Sequence, residues 1–339
     1  MISTAIIAAC VDRDAPAPSA PGPAASTQTP SAATPADDPS AAASKPTTLA
    51  ACRFASFSPA MTQVLVDLGL GAQVVGRTPF CDSVPNTVPT VGSLLDVDYE
   101  RLIQVAPTHL LVQPAATGTD PELERLAQRH GWVLIEQGLD RLEDVEAFLA
   151  ALVPSLELHI SPELTTLAAR CAASAEALES LRSRSSPDTP IKTLVLVGTE
   201  PLTAAGADTF VSQMLVAAGG VNAITADGYP ELTFEDLAGI NPAAIVILRE
   251  TAPSDSDAAA LLRPLRSSPT RAAADRRIAV HVDPMSMLPS TKAPEVVERL
   301  RTLFASWPAL PPDISVPNGS GSPQPNPAPN PAPREGLPS

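Results

Sequence analysis

One segment constrains the fold more than any other. From Pro162 to about Arg184 the sequence reads as a single uninterrupted helix of about 23 residues, with Ser161 and Pro162 as its start signal. It is rich in Ala, Leu and Glu. On either side, short apolar strand patterns alternate with helical ones, the mark of an α/β fold with a largely parallel sheet. No strand separates the long helix from the helix before it, so the alternation breaks there once and then resumes. A helix crossing between two α/β lobes has this appearance.

The local signals on the first side are specific. Cys52–Phe57 reads as a short strand. Ser58 offers an N-cap, and Pro59 fits the first helical position. Met61, Val64, Leu65 and Leu68 follow at helical spacing, and Gly69 suits the C′ position. Gln73–Gly76 is the next strand and leads into the loop Arg77-Thr-Pro-Phe-Cys-Asp82. A helix around Asp98–Val105, a strand His109–Gln113, a helix from Asp120 to Gly131, a strand Trp132–Glu136 and a helix near Arg141–Leu152 follow. On the second side, strand Lys192–Val197 precedes a loop Gly198–Asp208, and Thr209 caps a helix to Ala218. A helix near Phe234–Ala238, strands Ala244–Leu248 and Ile278–Val282, and a final helix from about Pro294 to Ser306 close the pattern.

The two sides repeat one another. Glu100-Arg-Leu102, Pro107 and Leu110–Val112 match Glu235-Asp-Leu237, Pro242 and Ile245–Ile247 at a constant offset of 135. Gln63-Val-Leu65 and Gly69 match Gln213-Met-Leu215 and Gly219 at an offset of 150. A duplicated supersecondary plan follows. In open α/β sheets ligands sit at the carboxyl ends of the strands. The loops at 58–59, 77–82, 113–119 and 198–205 are therefore expected to face a cleft between the lobes.

Composition sets the boundaries. Of 39 prolines in 339 residues, eight fall in residues 1–50 and eleven in 308–339. The expected plan is a Pro/Ala-rich tether (1–50), an N-terminal lobe (51–160), the connecting helix (161–186), a C-terminal lobe (187–308) and a Pro-rich tail (309–339). Residues 11–48 hold too few large apolar side chains to offset the entropy of ordering them. With only 17 glycines and no Gly at every third position, a collagen-like helix is excluded. The net charge of −15, with no Lys/Arg stripe, argues against nucleic acid as a partner.

No stretch approaches the roughly 20 apolar residues of a membrane span. Ile7-Ala8-Ala9-Cys10 resembles a bacterial lipobox, so Cys10 is the expected lipid anchor at the end of a signal remnant, on an extracytoplasmic chain. Cys52 and Cys81 sit at opposite ends of neighbouring parallel strands, roughly 15–20 Å apart, too far to bridge. The four histidines, at 109, 130, 159 and 281, are scattered, and no metal site is expected from them.

The run Arg53-Phe-Ala-Ser-Phe-Ser-Pro59, followed by Gly76-Arg-Thr-Pro-Phe-Cys-Asp82, Val91-Gly92, Asp98-Tyr-Glu-Arg-Leu102 and Ala106–Val112, resembles the first lobe of class III periplasmic substrate-binding proteins. These are the ABC-importer receptors for vitamin B12, ferric siderophores and haem. Val195–Gly198, Ala205-Gly206, Ala218–Asn222 and Tyr229–Leu237 resemble the second lobe, and the likeness covers about 52–306.

The resemblance implies two Rossmann-like lobes with mostly parallel sheets, one long connecting helix, a ligand cleft between them and no enzyme activity. It implies a monomer that docks a permease dimer through one acid per lobe, at the positions of Glu100 and Glu235. The ligand positions it implies are Ser58, Pro59, Phe80, Cys81, Asp82, Gln113, Thr199, Tyr229 and Met285. The ligand would be a metal chelate rather than a resident cofactor. The Phe-Cys-Asp segment most resembles the cobalamin-type branch, so a corrinoid is favoured. A siderophore (with Arg77 the only basic residue in these loops), a haem (with Tyr229 toward iron) and other chelates remain open.

Two other classes compete. An α/β enzyme would need a nucleophile elbow or a phosphate loop, and neither GxSxG nor GxxxxGK[ST] occurs. Gly69-Leu-Gly71 follows a helix rather than a strand, and Asp82, Asp96 and Asp98 lack an accompanying base and nucleophile. A surface-anchored scavenger or sensor without a permease is the third reading.

Overall fold

The computed structural model describes residues 46–93, 95–115, 118–184 and 190–307. Cys10, most of the N-terminal segment and the Pro-rich C-terminal segment lie outside the described residues. No helix among the described residues is long and apolar enough to cross a membrane.

The first lobe is built from β1 (Phe54–Ser56), α1 (Pro59–Asp67), β2 (Val74–Gly76), a small hairpin β3 (Gly92–Ser93) and β4 (Asp96–Val97), α2 (Tyr99–Gln104), β5 (His109–Val112), α3 (Pro121–His130), β6 (Val133–Glu136) and α4 (Leu142–Ser155). Its four-stranded sheet has the order β2-β1-β5-β6 and is parallel throughout. The predicted helix starts hold: the hydroxyls of Ser58 and Ser161 and the carboxylate of Asp120 each accept a backbone N–H of the first turn, with proline directly after. The crossing helix α5 spans Pro162–Arg182.

The second lobe holds β7 (Ile191–Thr199), β8 (Leu202–Ala204), α6 (Phe210–Ala217), β9 (Gly220–Asn222), β10 (Glu231–Leu232), α7 (Phe234–Ile240), β11 (Ala244–Arg249), α8 (Asp255–Arg266), α9 (Arg271–Ala274), β12 (Ile278–Val282) and α10 (Ala293–Ser306). Its sheet runs β10-β8-β7-β11-β12, with β9 also on β7. The expected loop 198–208 is in fact the turn of an antiparallel hairpin, β7–β8, extended by β10. Besides its hairpin partner β7, β8 pairs with β10, almost thirty residues downstream, a contact that nothing local announces. Helices α8 and α9 were not expected either, because Ser, Asp and Pro interrupt any apolar period there.

Strand alternation puts the two lobes on one core. Phe54 and Leu111 of the first sheet, and Val195, Val246 and Leu248 of the second, face a single continuous cluster with α1, α4, α5, α6 and α10. The alternate residues face outward into separate clusters: Ala55, Leu110 and Val112 in the first lobe, Leu194, Leu196, Ile245 and Ile247 in the second. Prising the lobes apart would expose that shared apolar surface to water, which opposes large hinge motion.

Polar contacts fasten the same junction at matched positions. Gln213 on α6 accepts from Leu142 N (2.8 Å) and donates to Glu143 (2.6 Å) at the start of α4. Its counterpart Gln63 on α1 donates to Asp67 (2.8 Å), which accepts from Thr291 (2.5 Å) just ahead of α10.

Candidate functional site

The carboxyl-end loops of the two sheets meet where Phe210 N, at the first residue of α6, donates to Asp140 O (3.1 Å) in the loop between β6 and α4. On the first lobe Ser58 and Gln113 come together: the Ser58 hydroxyl donates to Gln113 Oε1 at 3.2 Å while capping α1. Pro59 and Gln113 are half-buried beside it. Phe80 is 40% exposed and Asp82 is exposed, so both side chains are open to solvent in the loop that follows β2.

Cys81 and Arg77 point the other way. Cys81 is wholly buried, with its Sγ 3.2 Å from both Thr62 Oγ1 and Thr78 Oγ1. It pins the loop onto α1. The Arg77 guanidinium is buried and donates to Val88 O, Thr78 O and Asn86 Oδ1. It anchors the 77–91 segment and is spent on the fold rather than offered to a ligand. Cys52, Cys81 and Cys171 are free thiols. Burial pushes the Cys52 thiol up to about 11, far from thiolate chemistry.

On the second lobe Thr199 ends β7 half-buried. Met285, in the short turn after β12, packs on the shared core, with its N–H held by Asp283. Tyr229 also packs against that core. Burial raises its phenol well above the usual range, and the carboxylates of Asp140, from the other lobe, and Asp208 add to the rise. Its segment is fixed by close backbone approach: Gly206 N donates to Gly228 O and Asp208 accepts from Gly228 N. A side chain at 206 would put its Cβ 2.4 Å from Ala226 O, so only glycine fits there.

Three residues of this region escaped the sequence reading. Asp140 and Asp208 flank Tyr229 only because two loops from different lobes converge. Arg249 ends β11 exposed, one residue beyond the apolar run that gave that strand away.

Each lobe carries an exposed acid in the first turn of a short helix. Glu100 is the second residue of α2, capped by Asp98 through Arg101 N (2.8 Å). Glu235 is the second residue of α7, capped by Thr233 through Asp236 N (3.1 Å). The offset of 135 therefore holds in the structure as well as in the sequence.

A cavity of about 10 Å³ beneath α6 and α10 is a packing void, too small for a chelate. An open depression beside Asn241 and Arg266 lies at the amino end of β11, away from these loops.

No protein-family model matches the chain, and no curated protein matches it. Solved structures do. The periplasmic vitamin B12 binding protein BtuF of Vibrio cholerae aligns with a TM-score of 0.59 at 17% identity, covering 75% of this chain and 96% of that one. A periplasmic haem-binding protein from Pseudomonas aeruginosa aligns at 0.58 and 23% identity, covering 76% and 95%. The periplasmic haem-binding protein RhuT from Roseiflexus sp. RS-1 aligns at 0.57 and 20% identity, covering 75% and 97%. The chain thus has the fold of the class III periplasmic binding proteins, over nearly the whole length of each.

Proposed function

We propose that the chain is the extracytoplasmic binding component of an ABC importer, capturing a cobalamin-like corrinoid between its lobes and delivering it to a permease. The observation that carries this reading is the two-lobe architecture itself. Two sheets share one core, their carboxyl-end loops converge, and a glutamate stands at the same helix position on each lobe. Fixed lobes with matched charges suit a partner that must be met in one orientation. The absence of a nucleophile elbow or phosphate loop, and similar structures that are binding proteins, support a non-enzyme role.

The ligand preference rests on chemistry at the rim. Phe80 offers an exposed aromatic face, and Ser58 and Gln113 offer neutral hydrogen-bonding groups, which suit a large, mostly neutral chelate. Asp82, Asp140 and Asp208 disfavour an anionic ferric siderophore. Haem is the second reading, supported by the haem-binding proteins of the same fold. Against it, burial and the two carboxylates keep the Tyr229 phenol protonated, opposing its use as a phenolate ligand. Lipid anchoring at Cys10 is part of the proposal.

Calorimetric titration of the purified protein with cyanocobalamin, haemin and a ferric hydroxamate tests it. Cyanocobalamin is expected to bind most tightly, below about 10 μM. Tighter haemin binding would transfer the assignment to the second reading, and no binding by any of the three would defeat the receptor proposal.

A further inference from the structure

Resting on the docking role proposed for Glu100 and Glu235, we infer that each glutamate is the charged centre of a mixed docking patch. The anchoring contacts of that patch are exposed apolar side chains: Leu95 and Ile103 on the first lobe and Phe234 on the second. An exposed carboxylate paired with a cation in water contributes a factor of about five in affinity at most. Two such pairs alone make a weak and salt-sensitive grip. Charged pairs contribute more when neighbouring apolar groups exclude water from them.

Those neighbours are present on both lobes. Leu95, at the turn of the β3–β4 hairpin, is 76% exposed, and β4 leads directly into the helix of Glu100. Ile103, one helical turn beyond Glu100 on α2, is 44% exposed. Phe234, immediately before Glu235, is 48% exposed. Few large apolar side chains among the described residues are this exposed, and these three sit beside the repeat-related acids. The repeat makes the point sharper. The residue matching Phe234 is Tyr99, which is drawn inward by its hydrogen bond to Asp120, leaving Ile103 and Leu95 to supply the apolar surface there. Apolar contact is thus provided by different side chains at the two equivalent positions.

Around these side chains carboxylates outnumber cations, with Asp96, Asp98 and Glu100 beside Arg101 on one lobe and Glu231, Glu235 and Asp236 on the other. The partner this fits is an integral membrane permease presenting two basic pockets, each rimmed by apolar residues.

The test is site-specific photocrosslinking of the full chain in cells of its native host, with a benzophenone amino acid at 95, 103 or 234. Reference probes replace Arg101 and Asp236, which adjoin the glutamates. A probe at Ile160, 92% exposed beyond the carboxyl end of α4, is the control. Adducts with a polytopic permease, identified by mass spectrometry, are expected from 95, 103 and 234 and not from 160. Leu95→Ser combined with Phe234→Ser is expected to lower the adduct from the 101 probe about thirtyfold, the effect of losing a hot spot. Permease adducts at 101 and 236 that are absent at 95, 103 and 234 and indifferent to the serine substitutions would overturn the apolar anchors while leaving glutamate docking intact. No permease adduct at any position would remove both.

Discussion

The two lobes carry one plan with different finishing, and the helices that present Glu100 and Glu235 show the difference best. Each ends in a residue with left-handed backbone, Ala106 at φ 42° and Asn241 at φ 43°, at equivalent repeat positions. In the second lobe the residue is asparagine, which tolerates that conformation and accepts from Arg271 N through its side chain. In the first lobe it is alanine, which does not favour it. The first lobe compensates with a stronger cap. Arg53 donates to Ala106 O at 2.9 Å and to Val105 O at 2.7 Å, whereas its counterpart Lys192 makes a single bond to Ile240 O. Equivalent backbone geometry can therefore be held by local preference in one lobe and by a long-range bidentate cation in the other.

The largest expected departure between the lobes is in acid. His109 lies wholly buried on β5 against Phe54, at the position where β11 has Ala244. Burial pushes its imidazole down to about 4, against a weaker opposing pull from Glu157. The folded state thus favours the neutral ring. The associated stability is fully present above the unfolded value near 6.5 and is lost as pH falls toward the folded value near 4. Urea titrations at pH 7.5 and pH 4 are expected to differ by about 3 kcal/mol from this group. His109→Gln should remove most of that difference, and an unchanged difference would show that other groups cause it.

A smaller effect separates the caps. Arg53→Ala is expected to cost about 1.5 kcal/mol and Lys192→Ala about 0.5, measured by thermal or chemical unfolding. Equal costs would mean that the bidentate geometry adds nothing. Smallest is the exchange at the left-handed position. Ala106→Asn should stabilise by about 0.5 kcal/mol and Asn241→Ala should destabilise by about 1 kcal/mol. The same sign for both would break the argument that residue preference distinguishes the two helix ends.

Much of this was legible in the chain. Ser58-Pro59, Asp120-Pro121, Ser161-Pro162 and Thr209 name their helix starts because capping is decided within four residues. Gly69 adopts the positive φ that suits its C′ position, and Gly131 ends α3 in the same way. Glu100 and Glu235 were visible as a repeat pair and stand on equivalent turns. The hairpin β7–β8 was not legible, nor was the inward turn of Cys81 between Thr62 and Thr78. Whether a residue in a loop faces solvent or its own lobe depends on what packs behind it. Gln63 and Gln213 stood out as repeat anchors, but their fastening role required knowing that α1 meets the segment before α10 and that α6 meets α4.

By itself, then, the sequence determined the main alternation of strands and helices, the capped helix starts, the crossing helix and the duplication. These rest on backbone preference, capping and periodicity, all of which act over a few residues. Only the tertiary structure decided which face of each sheet joins the shared core, that Arg77 is consumed internally, and that Asp140 of one lobe stands beside Tyr229 of the other. The shared core and the approach of Asp140 to Tyr229 depend on groups more than fifty residues apart being packed together, and the burial of Arg77 depends on how the 77–91 segment folds back on itself; helix and strand periodicity carries no information about either.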